Sequence, residues 1–136
     1  MVTSIKLKVL NTRPLPMGEA LSELGQTQGI MCVNRPMIDT CPLAADLRPV
    51  ADAMHLAHQI WIFVSRTAVE QFVRQLKRDS IDFNPTGHII AVGPGTKAQL
   101  ARHFPILGER VLVPPESNSE ALIQMPQLNE PSLNRA

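Results

Sequence analysis

Short apolar runs alternate with segments of helical periodicity along almost the whole chain. Lys6 to Leu10 is a β-rich run ending in Asn11-Thr12-Arg13-Pro14, where a proline without an N–H stops a strand ladder. From Met17 to about Gln28, Ala20, Leu21 and Leu24 recur at helical spacing. Pro14 and Pro16 suit the entry of that helix, and Gly25 weakens its end. Ile30 to Val33 predicts a second short strand, closed before Pro36. Asn34 to Pro42 then reads as extended linker or edge-strand material around an isolated Met37-Ile38 pair.

A second helix is expected from about Ala44 to Ala57, with Leu47, Val50, Ala51 and Met54 on one face. Pro49 imposes a late start or a kink, because an interior proline costs ~3 kcal/mol. Ile60 to Val64 is nearly continuous in apolar residues, the pattern of a central parallel strand covered on both faces. A helix over about Thr67 to Arg78 follows, with Ala68, Val69, Phe72, Val73 and Leu76 on one stripe. Asp79 to Gly87 reads as a polar loop and His88 to Val92 as the fourth strand. Gly93-Pro94-Gly95-Thr96 launches a helix through about His103. Val111 to Val113 is a fifth strand, cut off by Pro114-Pro115. Ser117 and Glu120 have capping-box spacing at the start of a last helix, and a frayed polar tail is expected over 126–136. Five strand–helix steps in a row predict an α/β fold with a parallel, doubly wound sheet.

Composition narrows the class. The 136 residues suit one ordinary domain or pieces of two. A hydrophobic fraction of 44% with 18% charged residues describes a folded chain. The net charge of +1 and 4% aromatics offer neither the field nor the stacking platforms of a nucleic-acid binder. Apolar runs are strand-sized, short of the ~20 residues a membrane span needs, and no signal peptide is evident, so a cytoplasmic protein is expected. Cys32 and Cys41 match no zinc or redox spacing and read as reduced thiols.

Candidate chemistry is sparse. His55 and His58 share a helix face without a carboxylate or cysteine to join them as metal ligands. Ser65 lacks the glycines of a nucleophile elbow, and Gly93-Pro94-Gly95-Thr96 lacks the Gly-Lys-Ser/Thr of a phosphate loop. A receiver domain would need acidic residues where Asn11-Thr12 and Ser65 stand. What remains is a repeated pattern: polar corners after successive strands at Thr12-Arg13, Ser65-Arg66-Thr67 and Gly95-Thr96. Parallel strands bring such corners to one edge of a sheet, where hydroxyls and N–H dipoles can receive carboxylates.

Taken in order, several segments resemble the uroporphyrinogen-III synthase family. They are Val9 to Pro14, Pro36-Met37-Ile38, Trp61 to Val69, Ile90 to Thr96, and Pro114 to Leu122 with Ser119-Glu120-Ala121-Leu122. The resemblance implies a flavodoxin-like, two-lobe architecture, present here as the N-terminal half. Residues 1–35 would be a strand–helix–strand unit of the first lobe, 36–42 an inter-lobe linker, 43–125 an incomplete second lobe and 126–136 the tail. It also implies a lyase of tetrapyrrole and heme biosynthesis that converts hydroxymethylbilane to uroporphyrinogen III. Water is lost and the last pyrrole ring inverted, without metal or organic cofactor.

By matching position, Thr12, Arg13, Ser65, Gly93, Gly95 and Thr96, with Ser119 further out, are the expected substrate-binding residues. The tyrosine that the family carries beyond this region has no counterpart, since the chain has no tyrosine. The alternative reading is a non-catalytic α/β module that binds an anionic ligand, or a partner chain supplying the missing lobe.

Overall fold

In the computed structural model, which describes residues 8–56 and 59–129, the strands form two separate parallel sheets. The chain divides into two units, Met1–Leu43 and Ala44–Ala136.

In the first unit β1 (Lys8–Asn11) and β2 (Met31–Asn34) flank α1 (Met17–Thr27). Val9 lies opposite Cys32, and Asn11 opposite Asn34. Lys6 and Leu7, expected in the first strand, fall outside the described residues. The leucines whose spacing reveals α1 do not make its packed face. Leu21 is 39% exposed and Leu24 61%, while Gly18 and Ser22 are buried. The cause is close approach: a Cβ on Gly18 would stand 2.7 Å from the Arg13 carbonyl oxygen, and one on Gly25 2.6 Å from the Cys32 sulfur. Only small residues fit there, so Gly25 serves packing rather than merely weakening the helix.

Asn11 is the polar pin of this unit. It is buried, and its Nδ2 donates to the Gly18 carbonyl at 2.7 Å and to Ser22 Oγ at 3.3 Å. Its Oδ1 accepts the Arg13 N–H at 3.2 Å. Among the described residues of this unit no large apolar side chain is buried.

The second unit holds β3 (Ile60–Phe63), β4 (His88–Ala91) and β5 (Val111–Leu112) in that spatial order, all parallel. The sequence predicts the apolar run at Ile60 as the central strand, and the structure corrects this. β4 is central, with Ile89, Ile90 and Ala91 almost wholly buried, whereas β3 has a strand on one side only among the described residues. An uninterrupted apolar run reports hydrophobicity, not the number of neighbouring strands.

α3 (Arg66–Arg78) and α4 (Pro94–His103) follow β3 and β4 and pack on one another. Right-handed crossovers between successive neighbours place both on the same sheet face. Val69, Val73, Leu76 and Leu100 from these helices meet Phe63, Ile89, Ala91 and Val111 from the strands. Phe83, from the loop expected to be polar, is buried and contacts the rings of Trp61, Phe63, Phe72 and Phe104.

α2 is shorter than expected (Arg48–Ala53) and starts late, with Pro49 tolerated in its first turn. Its flanking Leu47 and Met54 enter the core. A short helical turn not foreseen from the pattern, α5 (Pro105–Gly108), comes so close to α4 that a Cβ on Gly108 would stand 2.8 Å from that of Ala101. The last helix, α6 (Ser119–Ile123), is capped by Asn118 rather than Ser117. Asn118 Oδ1 accepts the Ala121 N–H at 2.7 Å, taking over the role that a capping box would give Ser117. Nor is the chain frayed from 126. Pro126–Leu128 forms a 3-10 turn, and Asn129 Nδ2 donates to the Ile123 and Met125 carbonyls. Residues 130–136 of the expected tail lie outside the described residues.

Across the outer surface of α3 and α4, His103 Nε2 lies 2.8 Å from Glu70 Oε1, and the Gln99 amide joins the same carboxylate. Hydrogen bonding to His103 holds the Glu70 carboxyl below its ordinary range, against an opposing effect of burial.

Two outcomes are expected. Ser22→Leu forces bulk under α1 and lowers protection of its amides from hydrogen exchange by about 1–3 kcal/mol, whereas Leu24→Gln changes it by less than about 0.5 kcal/mol. Equal effects would contradict the inverted packing of α1. For Glu70, a lowered folded value means stability that is present above the unfolded glutamate value of about 4.3 and lost as pH falls through the folded one. The Glu70 side chain is 41% exposed, so the contribution is under about 1 kcal/mol. Urea midpoints above and below this window should show that acid-side loss in the parent and not in Glu70→Gln.

Candidate functional site

Because β3, β4 and β5 run parallel, their carboxyl ends share one edge of the sheet. Three segments begin there: α3 after Ser65, α4 after Gly93, and the Pro114–Asn118 loop beyond β5. Ser65 has extended backbone and caps α3, its Oγ accepting the Ala68 N–H at 3.0 Å. That contact uses one lone pair, and the hydroxyl hydrogen remains available to donate.

At α4 the two glycines do different work. Gly93 is extended, at φ −150° and ψ 165°, so its torsions demand no glycine. Its missing side chain admits a neighbour instead: a Cβ there would stand 2.9 Å from Ser117 Oγ. Ser117 thereby lies against the residue that caps α4. A Cβ on Gly95 would meet the Arg66 stem at 3.7 Å, an ordinary contact. Arg66 therefore runs beside the first turn of α4.

Thr96 is buried, and its N–H and that of Lys97 each reach the Gly93 carbonyl at 3.1 Å. Pro94 has no N–H, and the Gly95 N–H precedes any acceptor within the helix. It is the natural outward donor of this turn.

The electrostatics favour an anion. Neither helix has an acidic residue in its first turn, although such residues stabilise a helix start. Arg66 and Lys97 stand there instead. Two positive helix ends, a guanidinium and hydroxyls thus meet along one edge. Glu116, in the third segment, is engaged with the Asn118 amide at 2.9 Å.

Of the residues expected from sequence, Ser65, Gly93, Gly95 and Thr96 lie at this edge. Ser119 is the exposed first residue of α6, and the serine against Gly93 is Ser117. Thr12 and Arg13 follow β1 in the other unit, both exposed, with the Thr12 carbonyl accepting the Met37 N–H at 3.3 Å. Arg66, named from sequence only as part of the Ser65-Arg66-Thr67 corner, and Ser117, named only as a helix cap, were not among the expected substrate-binding residues. The glycines were the available signal, since a glycine without special torsions marks a close approach.

Elsewhere, His55 is exposed and His58 lies outside the described residues. Among the described residues no group of three His, Cys, Asp or Glu could hold a metal ion, and no helix is long and apolar enough to cross a membrane. Cys32 and Cys41 are free thiols.

The family model described as uroporphyrinogen-III synthase HemD covers residues 19–133, which include Ser65, the Gly93–Thr96 turn, Ser117 and Ser119 and exclude Thr12 and Arg13. No curated protein matches the chain. With that match spanning most of the sequence and the parallel α/β fold, the chain belongs to the uroporphyrinogen-III synthase family.

Proposed function

We propose that this chain acts as a uroporphyrinogen-III synthase, binding hydroxymethylbilane by its carboxylates along the strand-end edge and promoting closure to uroporphyrinogen III. The observation that carries this reading is the pairing of two acid-free helix starts with Arg66, Lys97, Ser65, Ser117 and Thr96. A linear tetrapyrrole bears many carboxylates on an apolar chain of rings. Fixed N–H and hydroxyl donors can grip those carboxylates while the ends of the chain are brought together. The terminal hydroxyl leaves as water, the last ring is inverted, and the macrocycle closes.

On this reading the protein supplies positioning and electrostatic preorganisation rather than a nucleophile. Thr12 and Arg13 are proposed to donate hydrogen bonds to substrate carboxylates, and Ser119 to lie at the periphery. The 1–35 unit, the 36–42 linker and the 43–125 lobe are proposed to be the matching parts of the family's two-lobe architecture.

A second reading has its own support. Residues 8–43 expose Leu10, Leu15, Leu24, Met37 and Ile38 and bury no large apolar side chain. Such a unit fits a non-catalytic module awaiting a chain that completes its lobe.

Freshly prepared hydroxymethylbilane separates the two. The synthase reading expects the type III isomer in excess over the uncatalysed type I product. Thr96→Val should lower that excess roughly ten- to a hundredfold, the value of one hydrogen bond to a charged group. Type I product alone, at all protein concentrations, would overturn catalysis and leave the module reading.

A further inference from the structure

α3 and α4 follow parallel strands and lie against one another, so they run side by side with their starts at the same sheet edge. Their register holds over two turns. Arg66 lies beside Gly95, and four residues further along each helix Glu70 meets Gln99, whose amide donates to Glu70 Oε1. Both pairs are 29 residues apart in the chain, so the second repeats the first about 6 Å further from the edge.

Glu70 and Gln99 adjoin the buried stripe without belonging to it. Their chain neighbours Val69 and Leu100 enter the core, whereas the Glu70 side chain is 41% exposed. Apolar packing holds both helices to the sheet, but it is non-directional. A hydrogen bond to a carboxylate is directional and fixes the offset of one helix along the other. His103 Nε2, one turn beyond Gln99, stands 2.8 Å from the same oxygen. Two groups of α4 thus converge on one oxygen of α3.

We propose that Glu70 and Gln99 are a positioning pair that sets the offset of the α3 and α4 starts, and with it the placing of Arg66 against the Gly95 turn. Both residues lie a turn below the edge, so the pair acts through Arg66 and the Gly95 N–H. Its value to the protein rests on the carboxylate-binding reading of that edge: donors split between two helices grip one ligand only if their spacing is fixed beforehand. The bond is made before a ligand arrives, so binding leaves it in place.

Two readouts on the 136-residue chain test this: the nuclear Overhauser contact between the Arg66 δ protons and the Gly95 α protons, and the Kd for uroporphyrin III. Gln99→Ala, which changes no charge, should lose the contact and raise Kd about three- to tenfold, the range of one net hydrogen bond. Glu70→Ala should do the same, although removing a negative charge would by itself tighten the binding of an anion. Exchanging the two, Glu70→Gln with Gln99→Glu, restores the bond with donor and acceptor reversed and should return both readouts to those of the parent. Val73→Ala, on the buried face of α3, should lower the urea midpoint and leave both readouts unchanged. A contact that survives in the alanine variants, an exchange that restores nothing, or a Val73→Ala variant that weakens binding as much as Gln99→Ala would overturn the positioning role. A parent that binds no uroporphyrin III overturns the carboxylate-binding reading instead, and the Arg66–Gly95 contact then decides the positioning pair by itself.

Discussion

Burial of β4 is the constraint from which the second unit follows. Ile89, Ile90 and Ala91 can be taken from water only if strands lie on both sides and both sheet faces are covered near the centre. Parallel pairing with β3 and β5 meets that demand, and parallel pairing in turn requires helical crossovers. Those crossovers deliver the starts of α3 and α4 to the same edge. The polar edge is thus a geometric by-product of core formation, which local sequence then furnishes with serine, threonine, glycine and basic residues.

The proposed anion recognition would account for that furnishing. A helix start is most simply stabilised by an acid of its own, and both helices forgo it. Ser65 spends one lone pair on its cap and keeps its hydrogen. Gly93 gives up a side chain so that Ser117 can lie against the α4 turn. These features cost local helix stability and gain converging donors, the kind of departure from local rules expected at a functional site.

Much of this was legible in the sequence, and the failures have identifiable causes. The strand and helix order, the late start at Pro49 and the Ser65 and Gly93–Thr96 corners followed from turn chemistry and periodicity. The centrality of β4 did not, because the run at Ile60 is more continuously apolar than the run at His88, and apolar character does not count neighbours. The packed face of α1 was hidden because periodicity marks the leucines while close packing selects Gly18, Ser22 and Gly25. The cap moved from Ser117 to Asn118 because either residue can fill that role, and only the backbone path decides. That path also puts Ser117, not Ser119, beside Gly93. Arg66 was legible as part of its own corner, but its place beside Gly95 was not, since that contact crosses from one helix to the next, which no local pattern encodes.

The central claim is that the carboxyl ends of β3, β4 and β5 form an edge that receives a carboxylate-rich tetrapyrrole. Amide chemical shifts of the isotopically labelled chain, followed during titration with uroporphyrin III, test it most directly. The account expects saturable shifts concentrated at Arg66, Thr67, Gly95, Thr96 and Ser117, with the Glu70–His103 surface unmoved. Saturable shifts centred on that outer helical surface, or none at the strand ends at saturating ligand, would contradict it.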